Sequence, residues 1–150
     1  MTQTSQTGRS MIEMLAVLMI IGVLTISALA GFTQVTQKFN TTKMHNDIHS
    51  ISAEVVNLYA WQRGYPNSSS ASFQNDLCEN GVFPDGCDAS NVAYNPFGGT
   101  YTVTTNTATQ TLTVKADGLP ESVCEELDIQ EWSYLVAKKC DGTAFTVEFE

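Results

Sequence analysis

The chain has 150 residues and a formal net charge of −9, with 16 acidic residues against seven lysines and arginines. This length is typical of one domain, and the acidic balance argues against direct binding of a nucleic-acid backbone. The sequence contains no phosphate-binding loop and no serine-hydrolase motif, so we predict that the protein is not an enzyme and holds no cofactor.

The chain opens with a polar stretch and continues with an apolar one. Residues 1–8, MTQTSQTG, carry no charge and show no periodicity, and we interpret them as a removable leader. The following apolar segment begins at Met14, ends at Phe32 and contains no charged residue. Its 19 residues, at about 1.5 Å each in a helix, would cross most of a hydrocarbon layer of roughly 30 Å. This pattern predicts a membrane segment over residues 14–32.

Helical periodicity continues beyond the apolar segment. No proline occurs before Pro66, where Gly64 and Pro66 provide a stop signal. We therefore predict one helix over residues 11–63, roughly 80 Å long, whose second half is amphipathic and needs a globular partner. Its apolar stripe recurs mostly every three to five residues and consists of Phe32, Val35, Phe39, Met44, Ile48, Ile51, Val55 and Leu58.

The remainder of the chain has the pattern of a small mixed head. Residues 66–99 are rich in Asn, Ser, Gly, Pro and Asp and predict a long irregular connection, which ends in the turn signal NPFGG. The fold class that follows is α+β, a long N-terminal helix packed on a small antiparallel sheet. The predicted elements are a hairpin of residues 100–105 and 111–115, a short helix over residues 119–127, and strands over residues 132–137 and 143–149.

Four cysteines, Cys78, Cys87, Cys124 and Cys140, lie in the head. They form no CxxC pair, so a zinc site is not expected. An even number of cysteines after a membrane segment is typical of disulfides in an oxidising compartment. Three pairings are possible, and we favour nearest neighbours because each then closes a short segment. Closing the Cys124–Cys140 loop should contribute about 3 kcal/mol on a chain-entropy estimate.

Two weaker patterns leave metal binding open as a minor alternative. His45 and His49 lie four residues apart on the predicted helix, although a solvated or inter-subunit face is the simpler interpretation. The oxygen-bearing side chains of Asp85, Asp88, Asn91 and Asn95 could ligate Ca²⁺, but their spacing matches no EF-hand loop. We therefore predict no metal site.

The most informative motif stands at the entrance to the apolar segment. Gly8 and Arg9 are followed by Ser10, two apolar residues and Glu13. A carboxylate beside an apolar segment of this length is costly in lipid, less so at the end of the segment than at its centre. Such a residue is usually functional and implies a partner.

This motif resembles the N-terminus of type IV pilin precursors, a family that includes the type II secretion pseudopilins. The matching positions are the glycine before the cut, the small hydroxyl residue, the two apolar residues and the glutamate. A second, less specific likeness lies in the C-terminal cysteines and suggests the type IVb branch. The resemblance implies cleavage between Gly8 and Arg9 by a prepilin peptidase and N-methylation of Arg9. It also implies that Glu13 pairs with the N-terminal amine of a neighbouring subunit during assembly.

The resemblance implies a division of the chain and a set of partners. Residues 1–8 would be the leader, residues 9–63 the long helix and residues 64–150 the globular head. The mature protein would be a structural subunit, a major or minor pilin, that polymerises with itself or with other pilins. It would wait in the inner membrane, anchored by residues 14–32, until an assembly platform added it to an extracellular or periplasmic fibre.

Two alternatives remain at this point. The first is a pseudopilin, which shares the same N-terminal pattern. The second is ordinary secretion, because Ala28, Leu29 and Ala30 before Gly31 form a credible signal-peptidase site. The helical stripe runs through that site without a break in phase, and Glu13 adjoins the apolar run. Both features favour the pilin interpretation.

Overall fold

The structure, a computed structural model, describes residues 7–60, 64–66 and 71–150, with side chains from Met11 onwards except those of Ala30 and Ala71. Contacts divide the chain into two compact units, one that ends at Phe39 and one that comprises Asn40–Glu150. The elements in chain order are α1 (Thr7–Tyr59), α2 (Ala71–Glu79), β1 (Ala93–Tyr94), β2 (Thr100–Asn106), β3 (Thr111–Ala116), α3 (Glu121–Ile129), β4 (Leu135–Asp141) and β5 (Ala144–Phe149).

The long helix predicted from the periodicity is present as α1, which begins at Thr7 and ends at Tyr59. It stops four residues before the predicted end at residue 63, and residues 61–63 lie outside the described part of the chain. The apolar stripe is buried only within the second unit. There its residues recur at helical spacing and are fully buried, namely Met44, Ile48, Ile51 and Val55.

The sheet has five strands in the order β1-β2-β3-β5-β4, and every neighbouring pair is antiparallel. The predicted hairpin is β2–β3, in which Val103 lies opposite Val114. On β3, Val114 also lies opposite Val147 of β5. Alternate residues of β2, β3 and β5 are buried, so one face of the sheet contributes to the core. This arrangement confirms the predicted α+β fold.

The core is a single cluster that joins the second part of α1 to the sheet and both short helices. Met44 and Ile51 from α1 share it with Leu112 and Phe145 from the sheet and with Leu127 from α3. Each of these side chains is completely buried. Truncation of such a residue to alanine typically costs about 2–5 kcal/mol, so the head is stabilised mainly by this helix-on-sheet packing.

The prediction of an irregular connection over residues 66–99 is wrong, because α2 lies within it. Phe73 and Leu77, four residues apart, are both buried in the core. Gln74 on the same helix donates to the carbonyl of Tyr101 at 3.4 Å and accepts from the amide of Val103 at 3.4 Å. The α2 helix therefore covers the part of the β2 edge that β1 leaves open.

The predicted strand over residues 132–137 is also misplaced, since β4 begins at Leu135. Trp132 belongs instead to the connection from α3, where its ring is buried and its indole nitrogen donates to the carbonyl of Leu127 at 3.1 Å. A buried indole N–H needs a hydrogen-bond acceptor. The carbonyl of Leu127, near the end of α3, provides it. Strand β4 starts only after the chain has turned past this ring.

Candidate functional site

The first candidate site is the exposed part of α1. Its large apolar side chains from Met11 to Phe39 are all at least half exposed in the chain. By length and composition, α1 is the one helix among the described residues that could span a membrane. An exposed apolar run of this length is typical of a segment surrounded by lipid or by other helices.

The hydroxyl groups in this segment are satisfied within the helix. Thr25 donates to the carbonyls of Ile21 at 3.0 Å and Gly22 at 2.9 Å. Ser27 donates to the carbonyl of Val23 at 2.9 Å. Through these bonds, each hydroxyl donates its hydrogen to a carbonyl of the preceding turn. Both residues are therefore compatible with an apolar surrounding.

Gly8, Arg9 and Glu13 of the N-terminal motif all lie in α1. Gly8 and Arg9 fall in its first turns, where only the backbone is described, and Glu13 follows one turn later with its side chain described. Glu13 is the only acidic residue before Asp47. The motif therefore places one carboxylate at the start of the exposed apolar helix.

A second feature, the turn after β1, holds the head together through Asn95. Its side-chain oxygen accepts from the amides of Phe97 at 2.9 Å and Gly99 at 3.1 Å. Its side-chain nitrogen donates to the carbonyl of Asp117 at 2.7 Å. Because Asn95 is buried, each of these bonds replaces water that the group has lost. The turn signal NPFGG thus ties the entrance of β2 to the end of β3.

A buried acid joins α1 to the sheet. Asp47 is buried and accepts from the hydroxyl of Tyr101 at 3.3 Å. Burial raises the pKa of Asp47, and the nearby charge of Lys43 partly opposes that change. Burial, together with the adjacent Asp47, also raises the pKa of Tyr101. The bond joins α1 to β2 within the core, where a buried polar group needs a partner.

The first disulfide closes the segment that follows α2. Cys78 is joined to Cys87 over nine positions, and Asp85 within that segment pairs with Lys43 of α1 at 2.6 Å. Asp88 accepts from the amides of Ser90 at 2.8 Å and Val92 at 2.9 Å, which lowers its pKa. The disulfide and these bonds order a loop that would otherwise be long and polar.

Three of the four residues considered for Ca²⁺ have other contacts in the structure. Asp85 is engaged with Lys43, Asp88 closes its own turn, and Asn95 organises the next turn. No group of three or more metal-ligating side chains occurs among the described residues.

The second disulfide joins Cys124 on α3 to Cys140 on β4, the nearest-neighbour pairing that the spacing favoured. Cys124 is fully buried. Nearby, the ammonium group of Lys138 donates to the carbonyls of Asp128 and Gln130 and so occupies free acceptors at the end of α3. The predicted C-terminal disulfide-bounded region is therefore present and links α3 to an edge strand.

Replacing both Cys124 and Cys140 with serine should destabilise the head by about 3 kcal/mol, because the unfolded chain regains the freedom of that loop. Hydrogen exchange should accelerate in β4 and β5 more than in residues 40–59 of α1, which the core still holds. The matched control replaces Cys78 and Cys87 with serine, and its effect should be centred on α2. Uniform acceleration in both pairs of variants would contradict the account.

The two histidines lie on a partly exposed face of α1, beside Trp132. The ring centroids of His45 and His49 lie 4.4 Å and 5.1 Å from that of Trp132. The connection after α3 covers part of both rings, and both histidines remain partly exposed. Burial lowers the pKa of His49, and the neighbouring His45 lowers it further.

We expect this cluster to make the head less stable in mild acid. With the pKa of His49 lowered in the folded state, the unfolded chain binds its proton at higher pH, so stability falls as pH drops through the histidine range. The charged group that acts on His49 is the neighbouring His45. Between about pH 7.5 and about pH 5.5, the melting temperature of the full chain in detergent should fall more for the native sequence than for His49→Gln. An equal fall in both proteins would contradict this assignment.

Beside these histidines lies an open groove of about 580 Å³. One wall is α1, with His49, Ala53 and Val56, and the opposite wall carries Tyr134 and Phe149. Sequence reasoning did not find it. Tyr134 has a positive φ of 61°, an unusual conformation for a residue other than glycine, and no sequence signal marked it.

Taken together, the fold and the site define a class of protein, a small disulfide-bounded α+β head on a long helix whose first part is apolar and exposed. This is the architecture that the N-terminal motif implied. Residues 38–133 match the family described as PilS N terminal. A search of curated proteins found no match.

The match covers more than half of the chain, and the chain therefore belongs to this pilin family. It begins at Lys38 and so does not depend on the motif at Gly8 and Glu13. Two separate parts of the sequence thus indicate the same class. Proteins of this class are structural, which agrees with a subunit of a pilus-related assembly.

Proposed function

We propose that this chain is a pilin precursor, cleaved between Gly8 and Arg9, that polymerises into a pilus through the exposed part of α1. The observation that carries the proposal is the contrast along α1. Within the second unit, the apolar residues of the helix are buried against the head, whereas from Met11 to Phe39 they are at least half exposed. A surface of this size needs partners of the same chemistry, and like helices provide them.

In this proposal, residues 14–32 first hold the subunit in the inner membrane. The acidic head then lies outside the cytoplasm, where its disulfides persist. A prepilin peptidase removes the leader, the new amine at Arg9 is methylated, and an assembly platform transfers the helix from lipid into a bundle of like helices. Lipid and bundle are similarly apolar, so little hydrophobic energy opposes the transfer.

The first test is the N-terminus of the protein extracted from membranes. Intact mass should correspond to a chain that begins at Arg9 and carries an N-methyl group. The physical basis is the position of the motif, since the bond after Gly8 lies two residues before the exposed apolar side chains that begin at Met11. A chain that begins at Gly31 would overturn the proposal in favour of ordinary secretion.

A matched pair of variants sharpens this test. Gly8→Leu should block processing, because a bulky residue then occupies the position before the cut. Ala30→Leu should leave processing unchanged, although it would block a signal peptidase that acts after Ala30. The reverse outcome, processing lost only in Ala30→Leu, would contradict cleavage at Gly8.

A further inference from the structure

The end of the exposed helix segment differs from the part before it. Phe32, Val35 and Phe39 are 69%, 68% and 67% exposed and recur at i, i+3 and i+7. We call these three residues the distal stripe. Gln34 and Gln37 lie on the opposite side of the helix, whereas the stretch before Phe32 is apolar all round. A one-sided stripe with this spacing is typical of a helix that docks into a groove rather than one surrounded by lipid.

The groove beside the histidines exposes apolar and aromatic side chains that could contact the distal stripe. Val56 on its helical wall is 43% exposed, and the ring of Tyr134 on the opposite wall is 85% exposed. The backbone of Tyr134 is held in its unusual conformation by a bond from the amide of Glu150 to its carbonyl at 3.3 Å. An aromatic ring held outward from an ordered backbone loses little freedom on binding and is a common anchor of interfaces.

The distal stripe and the groove also carry opposite charges at their edges. Lys38 adjoins the distal stripe, and Glu150 lies in the wall of the groove. The head as a whole is also acidic, with 13 of the 16 acidic residues after Gly64. A helix that brings a lysine beside apolar anchors is therefore attracted to this part of the head.

From these observations we propose that the groove between α1 and the connection after α3 receives the distal stripe of a second copy of this chain. The inference rests on the proposed function, because it names the surface of the head that contacts a neighbouring subunit in the fibre. The stripe is exposed within its own chain, so its partner comes from another molecule. The contact is heterologous, with stripe and groove on different parts of the subunit, and such contacts propagate into filaments.

The direct test is photocrosslinking in sheared filaments. A photoreactive amino acid in place of Val35 should crosslink to a second chain within residues 49–57 or 133–134. The control replaces Val23, which is similarly exposed at 65% but lies in the part of the helix that is apolar all round. It should yield no crosslink to the groove. Crosslinks from position 35 to lipid alone, or to other parts of the head, would overturn the inference.

Substitutions in the groove give an independent measurement. Val56→Lys should reduce the sheared filament fraction at least tenfold, because it places a charge opposite the apolar stripe and a like charge near Lys38. Ile129→Lys alters a residue that is 81% exposed outside the groove and should leave that fraction unchanged. Equal yields from the two variants would contradict the inference. Melting temperatures of the detergent-extracted proteins should match the native value, which separates lost docking from lost folding.

These outcomes are distinguishable from a failure of the proposed function. If the native sequence forms no filaments, the assignment as a pilin subunit fails. If the native sequence forms filaments but Val35 does not crosslink to the groove, only the docking inference fails.

Discussion

Gly99→Ala should destabilise the head by about 4–5 kcal/mol and lower its melting temperature by about 20 °C. A Cβ at Gly99 would lie 1.7 Å from the carbonyl oxygen of Asp117 and 2.9 Å from the side-chain nitrogen of Asn95. The first obstacle is backbone, which cannot rotate away. Relief of the clash would separate the β1–β2 turn from the end of β3 and break the buried bonds of Asn95. The free-energy cost of overpacking then adds to the cost of leaving buried polar groups unpaired.

The neighbouring glycine provides a control with the same chemistry. Gly98 has a φ of 83°, yet a Cβ there would meet no atom within 4 Å. Gly98→Ala should therefore cost only the strain of a left-handed conformation, about 1–2 kcal/mol. Thermal unfolding of both variants in detergent provides the comparison. Equal destabilisation of the two variants would contradict the claim that the close contact with Asp117 requires glycine at position 99.

Glu13→Ala should leave the protein inserted in the membrane and the head folded, but reduce its amount in filaments more than tenfold. Lipid and helix bundle are similarly apolar, so the register between subunits must come from a directional interaction. Two opposite unit charges about 4 Å apart attract by about 4 kcal/mol at an intermediate dielectric constant. Loss of about 1.4 kcal/mol of that attraction already reduces occupancy tenfold. In this account, Glu13 pairs with the amine of Arg9 in a neighbouring subunit.

Immunoblots of sheared filaments and of total envelope protein measure this effect. Glu54 provides the matched control, because it is an exposed glutamate on the same helix but lies within the head unit. Glu54→Ala should assemble like the native protein. Glu13→Gln should behave like Glu13→Ala, since it keeps the hydrogen-bonding atoms but loses the charge. Normal filament amounts from Glu13→Ala would show that this carboxylate does not guide docking.

Much of the fold was predictable because its signals are local. The helical stripe through Met44 and Ile51 is regular and is buried where the head begins. The alternation in β2, β3 and β5 is equally regular, and a short polar link marked the first hairpin. These patterns follow directly from the periods of helix and strand.

The features that were missed depend on contacts between distant residues. The two apolar residues of α2, Phe73 and Leu77, stand among Asn, Ser and Asp, so the short helix has little periodicity of its own and is stabilised by the core. Trp132 was assigned to a strand because aromatic residues favour strands, whereas burial against His45 and His49 places it in a connection. The groove could not be found at all, since one wall comes from residues 49–57 and the other from residues 133–134 and 149–150, far apart in the sequence.

Whether this chain is a subunit of a fibre is tested most directly by mass spectrometry of filaments sheared from cells of the native source, with antibody-gold labelling of the same filaments. We expect gold along the filaments and a chain that begins at Arg9, with Cys78 joined to Cys87 and Cys124 joined to Cys140. A chain found only as a soluble protein that begins at Gly31, with unlabelled filaments, would contradict this expectation.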